Sequence, residues 1–198
     1  MSSENIEKLN TRTRILASTW KLMEERLGIN VKMSDIAKDV GISRQAVYLH
    51  FASRTELMLA TVQYVDEIKN VNERIVQILQ AQNAREQLEA FMQFWGNYIP
   101  EIHGLAKALL NTRDTDEAAA SAWDSCMAHL WGMSQKVVES LHEEGLLVEH
   151  LQPEPAAELF WALVSIQNWE QLIRDCNWST EQYIEQMTHM LKRTFILE

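Results

Sequence analysis

With 198 residues, 46% of them apolar, and only six Gly and three Pro, the chain can bury a substantial core and is too poor in turn formers for a loop-rich β fold. Its net charge of −10 argues against a uniformly basic nucleic-acid coat, and Cys126 and Cys176 match no zinc or redox spacing, so both are expected to be free, mostly buried thiols in a reducing compartment. No apolar run reaches the length of a membrane span, and the opening Met-Ser-Ser-Glu-Asn lacks a signal peptide's apolar region, so a cytoplasmic protein is expected.

The charge is unevenly spread. Residues 1–58 hold nine Lys and Arg against seven Asp and Glu, while the rest of the chain holds nine against twenty-one. A mildly basic head on an acidic body is the pattern of a weak polyanion binder that gains affinity by pairing with a second copy.

The first helix is predicted over 3–27, with Ile15, Leu16, Thr19, Met23 and Leu27 as its buried stripe and Trp20 or Leu22 at the flank. Arg12 and Arg14 lie near its N-terminal half, where they can reach a phosphate backbone or simply face solvent. Gly28 then supplies a left-handed cap. From Met33 to Arg54 the chain reads as two short helices joined by a tight turn and leading into another helix. Ile36, Ala37 and Val40 give the first of these an apolar face, and Gly41 follows where a left-handed residue is needed. Lys32 precedes it without a capping side chain, so Ser34 or water is expected to serve the first amides, with Asp35 complementing the helix dipole. Ile42 plugs the turn and Ser43 caps the next helix, Arg44–His50, which turns Val47 and Phe51 inward.

The other faces of that helix carry chemistry suited to the major groove. Arg44 can reach guanine or a phosphate, Gln45 has the amide that suits adenine, Tyr48 can reach a phosphate or a thymine methyl, and Leu49 either meets a thymine methyl or is plain surface. Short helical hairpins are common in all-α proteins, so the pattern alone also fits a protein-binding adaptor with a degenerate helix-turn-helix.

The run Ile-Ser-Arg-Gln-Ala-Val-Tyr-Leu-His-Phe-Ala-Ser-Arg, Ile42 to Arg54, closely resembles the signature of the TetR family of bacterial transcriptional regulators. In that family the recognition helix ends in Tyr-x-His-Phe, here Tyr48, His50 and Phe51, and a basic residue, here Arg54, opens the next long helix. The resemblance covers roughly residues 12–58. It implies a homodimer reading a palindromic site, with Tyr48 and His50 clamping the DNA backbone more than reading bases. The candidate DNA contacts are therefore Ser43, Arg44, Gln45, Tyr48, Leu49, His50 and Arg54. Two departures stand outside that face: Leu27 where the family usually has glycine, and Lys32 where it often has a capping threonine.

Ser53-Arg-Thr-Glu56 is a capping box that opens a long linking helix expected over about 54–80, carried by Leu57, Val65, Ile68, Val71, Ile75 and Leu79. The TetR resemblance then implies a three-helix DNA-binding head over residues 1–53 and a ligand-binding and dimerisation body over 54–198. In the body, a helix over 85–98 is expected to end at Pro100, with a short helix over 101–110 after it. Asp114-Thr-Asp-Glu117 starts a long helix to Glu144 that Gly145 ends. A helix over about 156–176 follows Pro153 and Pro155, and Ser179-Thr-Glu-Gln182 caps the last one, to about Phe195. The expected fold class is all-α, about nine helices, a count the TetR resemblance shares.

The penultimate helix is apolar on more than one face through Leu159, Leu163, Ile166 and Ile173, widened by Phe160, Val164 and Leu172. The last helix repeats this with Tyr183, Ile184, Met187, Met190, Leu191 and Phe195, so the final two helices are expected to build a four-helix bundle with a second copy. Phe91, Trp95, Tyr98, Trp123, Met127, Trp131 and Trp161, with Gln167 and Asn168 as polar groups, are the candidate lining of a small-molecule pocket, a cavity the resemblance places among these helices. Each of those aromatics would serve equally as core. An acidic, Trp-rich body favours an aromatic or hydrophobic effector, and a flat cation through cation–π contacts.

No P-loop, dinucleotide fingerprint or Ser-His-Asp order is present, so no catalytic residue, cofactor or enzyme activity is expected, although an enzyme using the aromatic cavity remains a rival class. His142, Glu143, Glu144, Glu149 and His150 cluster in sequence without metal-site spacing, and no metal site is expected. The resulting expectation is a ligand-released repressor, repression resting on the resemblance alone.

Overall fold

The computed structural model of the protein describes residues 3–197, with side chains from Asn10 onward. Its elements are α1 (Ser3–Glu25), α2 (Met33–Val40), α3 (Arg44–His50), α4 (Arg54–Ile68), α5 (Val71–Leu79), α6 (Ala84–Thr112), α7 (Glu117–Glu143), α8 (Pro153–Leu163), α9 (Ile166–Glu170) with a π-helical turn at Gln171–Asp175, and α10 (Thr180–Phe195). Among the described residues the only extended pairing is an isolated antiparallel bridge between Leu147 and Ile196, so the fold is all-α. Counting α8 to the π turn as one interrupted rod gives nine helices among the described residues. That number agrees with expectation through offsetting differences: the fourth helix is split, and two expected body helices are one.

Two compact units partition the chain, Met1–Lys69 with Ile102–Cys126, and Asn70–Glu101 with Met127–Glu198. In the first, Ile15, Met23, Ile36, Val47, Phe51, Leu57 and Met58 close a core with almost no solvent contact. Leu27 was expected in the buried stripe of α1. It is 49% exposed instead, because α1 stops at Glu25 and Leu27 itself turns left-handed at φ 49°, which swings its side chain off the stripe. Gly28, at φ 79°, then passes so close to α6 that a Cβ would run into the Ala108 carbonyl and the Thr112 methyl. Glycine is needed there for both conformation and space.

The rod expected over 54–80 is broken at Lys69 and Asn70. Asn70 takes φ 51°, a left-handed conformation that asparagine tolerates better than other residues with a Cβ, and α5 restarts immediately after it. Apolar periodicity continues across the break, which is why the pattern reads as one helix.

In the second unit, Phe91, Phe160 and Phe195 form a continuous ring cluster, with Phe91 and Phe160 edge-on at 5.2 Å. Tyr183 and Ile184 of α10 close onto α6 at Gly96, where a Cβ would collide with Ile184. Helix α6 continues through Pro100 rather than ending before it; the proline ring lies on the exposed side, and packing of the flanking turns outweighs a cost of about 3 kcal/mol for an interior proline. The helix expected over 156–176 breaks at Val164 and Ser165. Trp95 Nε1 donates to the Val164 carbonyl at 2.7 Å, and Asn168 Nδ2 donates to the Ala162 carbonyl at 2.9 Å and the Leu163 carbonyl at 3.3 Å. These side chains take over acceptors that the broken helix leaves unserved. Cys126 is half-buried, and burial with the nearby Asp66 charge pushes its thiol up to about 12. Cys176, expected to be mostly buried, is exposed beyond the π turn.

Candidate nucleic-acid interface

The turn between α2 and α3 is built by local chemistry. Gly41 takes φ 77°, which lets the Ile42 amide return to the Ala37 carbonyl at 2.9 Å and the Gly41 amide to Lys38 at 3.2 Å. Ser43 Oγ then accepts from the Ala46 amide at 3.0 Å and starts α3. At the start of α2 the cap comes from Asp35, whose carboxylate accepts from the Lys32 amide at 3.2 Å, and not from Ser34. The Lys32 amide bond, opposing burial, and the Arg26 charge at 3.0 Å leave that carboxyl below its usual value.

Helix α3 is fastened from one side only. Val47 and Phe51 are fully buried, whereas Ser43, Arg44, Gln45, Tyr48 and Leu49 all face solvent, Leu49 at 87% exposure. Arg44 lies over the Tyr48 ring at 5.6 Å, and its Nη2 donates to the Tyr48 hydroxyl at 3.4 Å, so the two side chains form one exposed surface. His50 is half-buried at the end of the helix.

Arg12 and Arg14, considered above as phosphate contacts, do structural work in the free protein. Arg12 Nη1 donates to the His50 carbonyl at 2.6 Å while its guanidinium covers the Phe51 ring at 4.0 Å. Arg14 Nη2 donates to the Val40 carbonyl at 2.5 Å. Each therefore places a cation on the C-terminal carbonyls of one helix of the turn motif, where the helix dipole is negative. Lys21 and Ser18 both donate to Asp39 at 2.8 Å, tying α1 to α2 and holding the Asp39 carboxyl below its ordinary value. Sequence reasoning missed the two arginine caps because their carbonyl partners lie 38 and 26 residues away.

Arg54, expected to meet phosphate, is turned to Asp116. Its Nη2 lies 2.5 Å and its Nε 3.2 Å from Asp116 Oδ2. Asp116, and not Asp114, also caps α7, accepting from the Ala118 amide at 3.1 Å and the Ala119 amide at 3.4 Å. Burial alone would raise this carboxyl, yet the Arg54 hydrogen bond and charge, with those two amides, hold it below its ordinary value. The pair sits in an open cleft of about 570 Å³ that also takes in Lys32, Ser34, Arg44 and Tyr48.

The residues named for a ligand pocket fall in both compact units and are described unit by unit. Phe91, Trp95 and Tyr98 are buried and pack on one another, and Arg74 lies over the Tyr98 ring at 5.4 Å, so that face already holds a cation. Trp123 belongs to the first unit, buried beneath Arg113. Trp131 and Trp161 meet edge to face at 5.8 Å and remain half-buried, as does Met127. Asn168 is occupied at the helix break, and Gln167 is exposed. No helix among the described residues is long and apolar enough to cross a membrane.

Comparison with known proteins agrees with this geometry. The family model described as bacterial regulatory proteins, tetR family, matches residues 15–61. The HTH-type transcriptional regulator EthR of Mycobacterium tuberculosis is 28% identical over 153 residues, 75% of this chain and 68% of that one. A transcriptional regulator from Saccharomonospora viridis, solved in complex with choline, superposes with a TM-score of 0.75 over 96% of this chain and 99% of its own at 14% identity. FadR of Bacillus subtilis, solved with stearoyl-CoA, superposes with a TM-score of 0.72 over 91% of this chain and 97% of its own, also at 14% identity.

Proposed function

The chain belongs to the TetR family of bacterial regulatory proteins, and from that premise we propose that it is a ligand-responsive repressor, binding a palindromic operator as a homodimer and released by a small molecule. Regulators of this family bind DNA and small-molecule ligands. The observation that carries the reading is the one-sided burial of α3: Val47 and Phe51 hold it down while Arg44, Gln45, Tyr48 and Leu49 stay in solvent. A helix presented in this way fits the major groove with its N-terminal side chains at base edges. Arg44 and Gln45 are the base readers, while Ser43, Tyr48 and His50 hold the backbone.

Two such helices, about 34–36 Å apart in a homodimer, match one turn of DNA. The dimer forms through α8 and α10, where Leu159 is 46% exposed beside the half-buried Trp161. The effector is an aromatic or hydrophobic molecule met by the half-buried Trp131, Trp161 and Met127, in a chain whose relatives' structures hold choline and stearoyl-CoA. It acts from the cytoplasm by favouring a body conformation whose heads no longer fit one-turn spacing. By linkage, operator DNA weakens effector binding by the same factor.

Selection of bound fragments from random-sequence DNA tests this directly. The expected result is inverted half-sites one helical turn apart, with affinity that falls steeply with salt. Recovery of no sequence, with salt-insensitive binding, overturns it and leaves the adaptor class.

A further inference from the structure

We propose that Asp116 is a built-in competitor of the DNA backbone for Arg54: the free protein parks this guanidinium on its own carboxylate, and bound DNA takes it over with a phosphate. The inference rests on the DNA-binding reading and adds a determinant of affinity that lies more than sixty residues from the helix-turn-helix. Its basis is the pair's geometry and position. Asp116 reaches Arg54 through Nε and Nη2, while Nη1 is buried with no hydrogen-bond partner among the described residues. The carboxylate thus leaves one guanidinium nitrogen orphaned, and turning outward to a phosphate, with its additional acceptor oxygens, relieves it.

The pair is reachable. Arg54 keeps 25% of its side chain exposed and Asp116 24%, in a cleft open to solvent. That cleft also receives Lys32 and Arg44, both exposed, together with Ser34 and Tyr48. Three cations, Lys32, Arg44 and Arg54, converge where a backbone phosphate would run alongside α3, and the acids placed among them are Asp116 and Glu117. Arg54 is the first residue of α4, whose capping box, Ser53 to the Glu56 amide at 3.0 Å and Glu56 back to the Ala52 amide at 2.7 Å, fixes the backbone. The side chain can therefore change partner without any helix moving.

The exchange has a signature in salt dependence. If bound DNA takes Arg54 with a phosphate, removing the guanidinium makes the log–log slope of affinity against salt shallower by about 0.9. Removing only the competing carboxylate leaves the number of neutralised phosphates, and so the slope, unchanged while raising the affinity. Asp116→Asn is the decisive variant, since asparagine caps a helix as well as aspartate and keeps α7 started.

Binding of a fluorescein-labelled random-sequence duplex, between about 50 and 200 mM salt, is followed for wild type, Asp116→Asn, Arg54→Ala and the double variant. Helical circular dichroism confirms folding; should the asparagine variant fail that check, Asp116→Ser, which retains a capping oxygen, takes its place. The expected result is a gain of about three- to tenfold at low salt for Asp116→Asn at the wild-type slope, a slope shallower by about 0.9 for Arg54→Ala, and no gain from Asp116→Asn when Arg54→Ala is also present. Unchanged or weaker binding by Asp116→Asn, or an unchanged slope for Arg54→Ala, overturns the proposal and leaves the regulator reading standing. Failure of the wild type itself to bind duplex at low salt overturns both.

Discussion

Arg44 and Tyr48 already touch in the free protein, so their contributions to DNA recognition are expected to be coupled. Single changes of Arg44 and Gln45 to alanine should each cost about 1–3 kcal/mol of operator affinity and relax the preference at one base position. Tyr48→Ala should weaken all duplexes alike. Fluorescence anisotropy on operator and scrambled duplexes separates these outcomes. Stability is a separate matter, because an exposed Leu49 supports nothing in the core, and Leu49→Ala should leave the melting temperature unchanged. Arg12→Ala should lose about 1–2 kcal/mol of folding stability in denaturant titration, through the His50 carbonyl and the Phe51 face. Tyr183→Phe should act in the opposite sense. The Tyr183 hydroxyl is buried with no hydrogen-bond partner among the described residues, so its removal should stabilise the fold by about 1 kcal/mol. Ser43 was legible in sequence because a cap is paid within three residues of itself, while Arg12, Arg14 and Arg54 were not, since a long cationic side chain meets its partner through the fold.

Helical boundaries reflect the same division between near and distant causes. Gly41 and Ser43 mark a turn by their own conformational preferences, and the structure places the turn there. Asn70 has an equally local reason to bend the chain, but the apolar rhythm from Leu57 to Leu79 masks it. Asn70→Gly should therefore be tolerated, whereas Asn70→Val, forced left-handed at φ 51°, should cost about 1–2 kcal/mol in thermal melts. Pro100 and the break at Val164 are distant effects. Helix α6 survives its proline through packing on both sides, and α8 ends where Trp95 and Asn168 are on hand to serve the released carbonyls. The sequence carried Trp95 and Asn168 as pocket candidates, because an aromatic that donates to a distant backbone oxygen has the same local pattern as one that faces a ligand.

For the protein as a whole, acid should loosen the first unit. Asp39 and Asp116 both titrate below their ordinary value of 3.8 in the folded state, so they bind fewer protons than the unfolded chain does. Their stabilising contribution is fully present above 3.8 and disappears as the pH falls through the lowered folded values. Asp39→Asn should melt below wild type near neutral pH, and the gap should close as the solution is acidified below 3.8. Assembly is tested separately: Leu159→Glu on α8 should shift sedimentation from dimer to monomer and weaken operator binding with it. The class of fold and the reading head were accessible from sequence because periodicity and turn chemistry define them. Pocket-lining residues are not legible in the same way, since the six Trp of the body are compatible with core, helix repair and ligand contact alike.

The two arginine caps bear on how this regulator could be re-engineered. The Val40 and His50 carbonyls that finish α2 and α3 are held by side chains from α1, outside the segment proposed to read DNA. Transplanting residues 33–54 alone into a related scaffold would deliver the proposed base-reading surface without its fasteners. A chimera that carries α1 along with them is the smallest exchange expected to transfer operator preference intact.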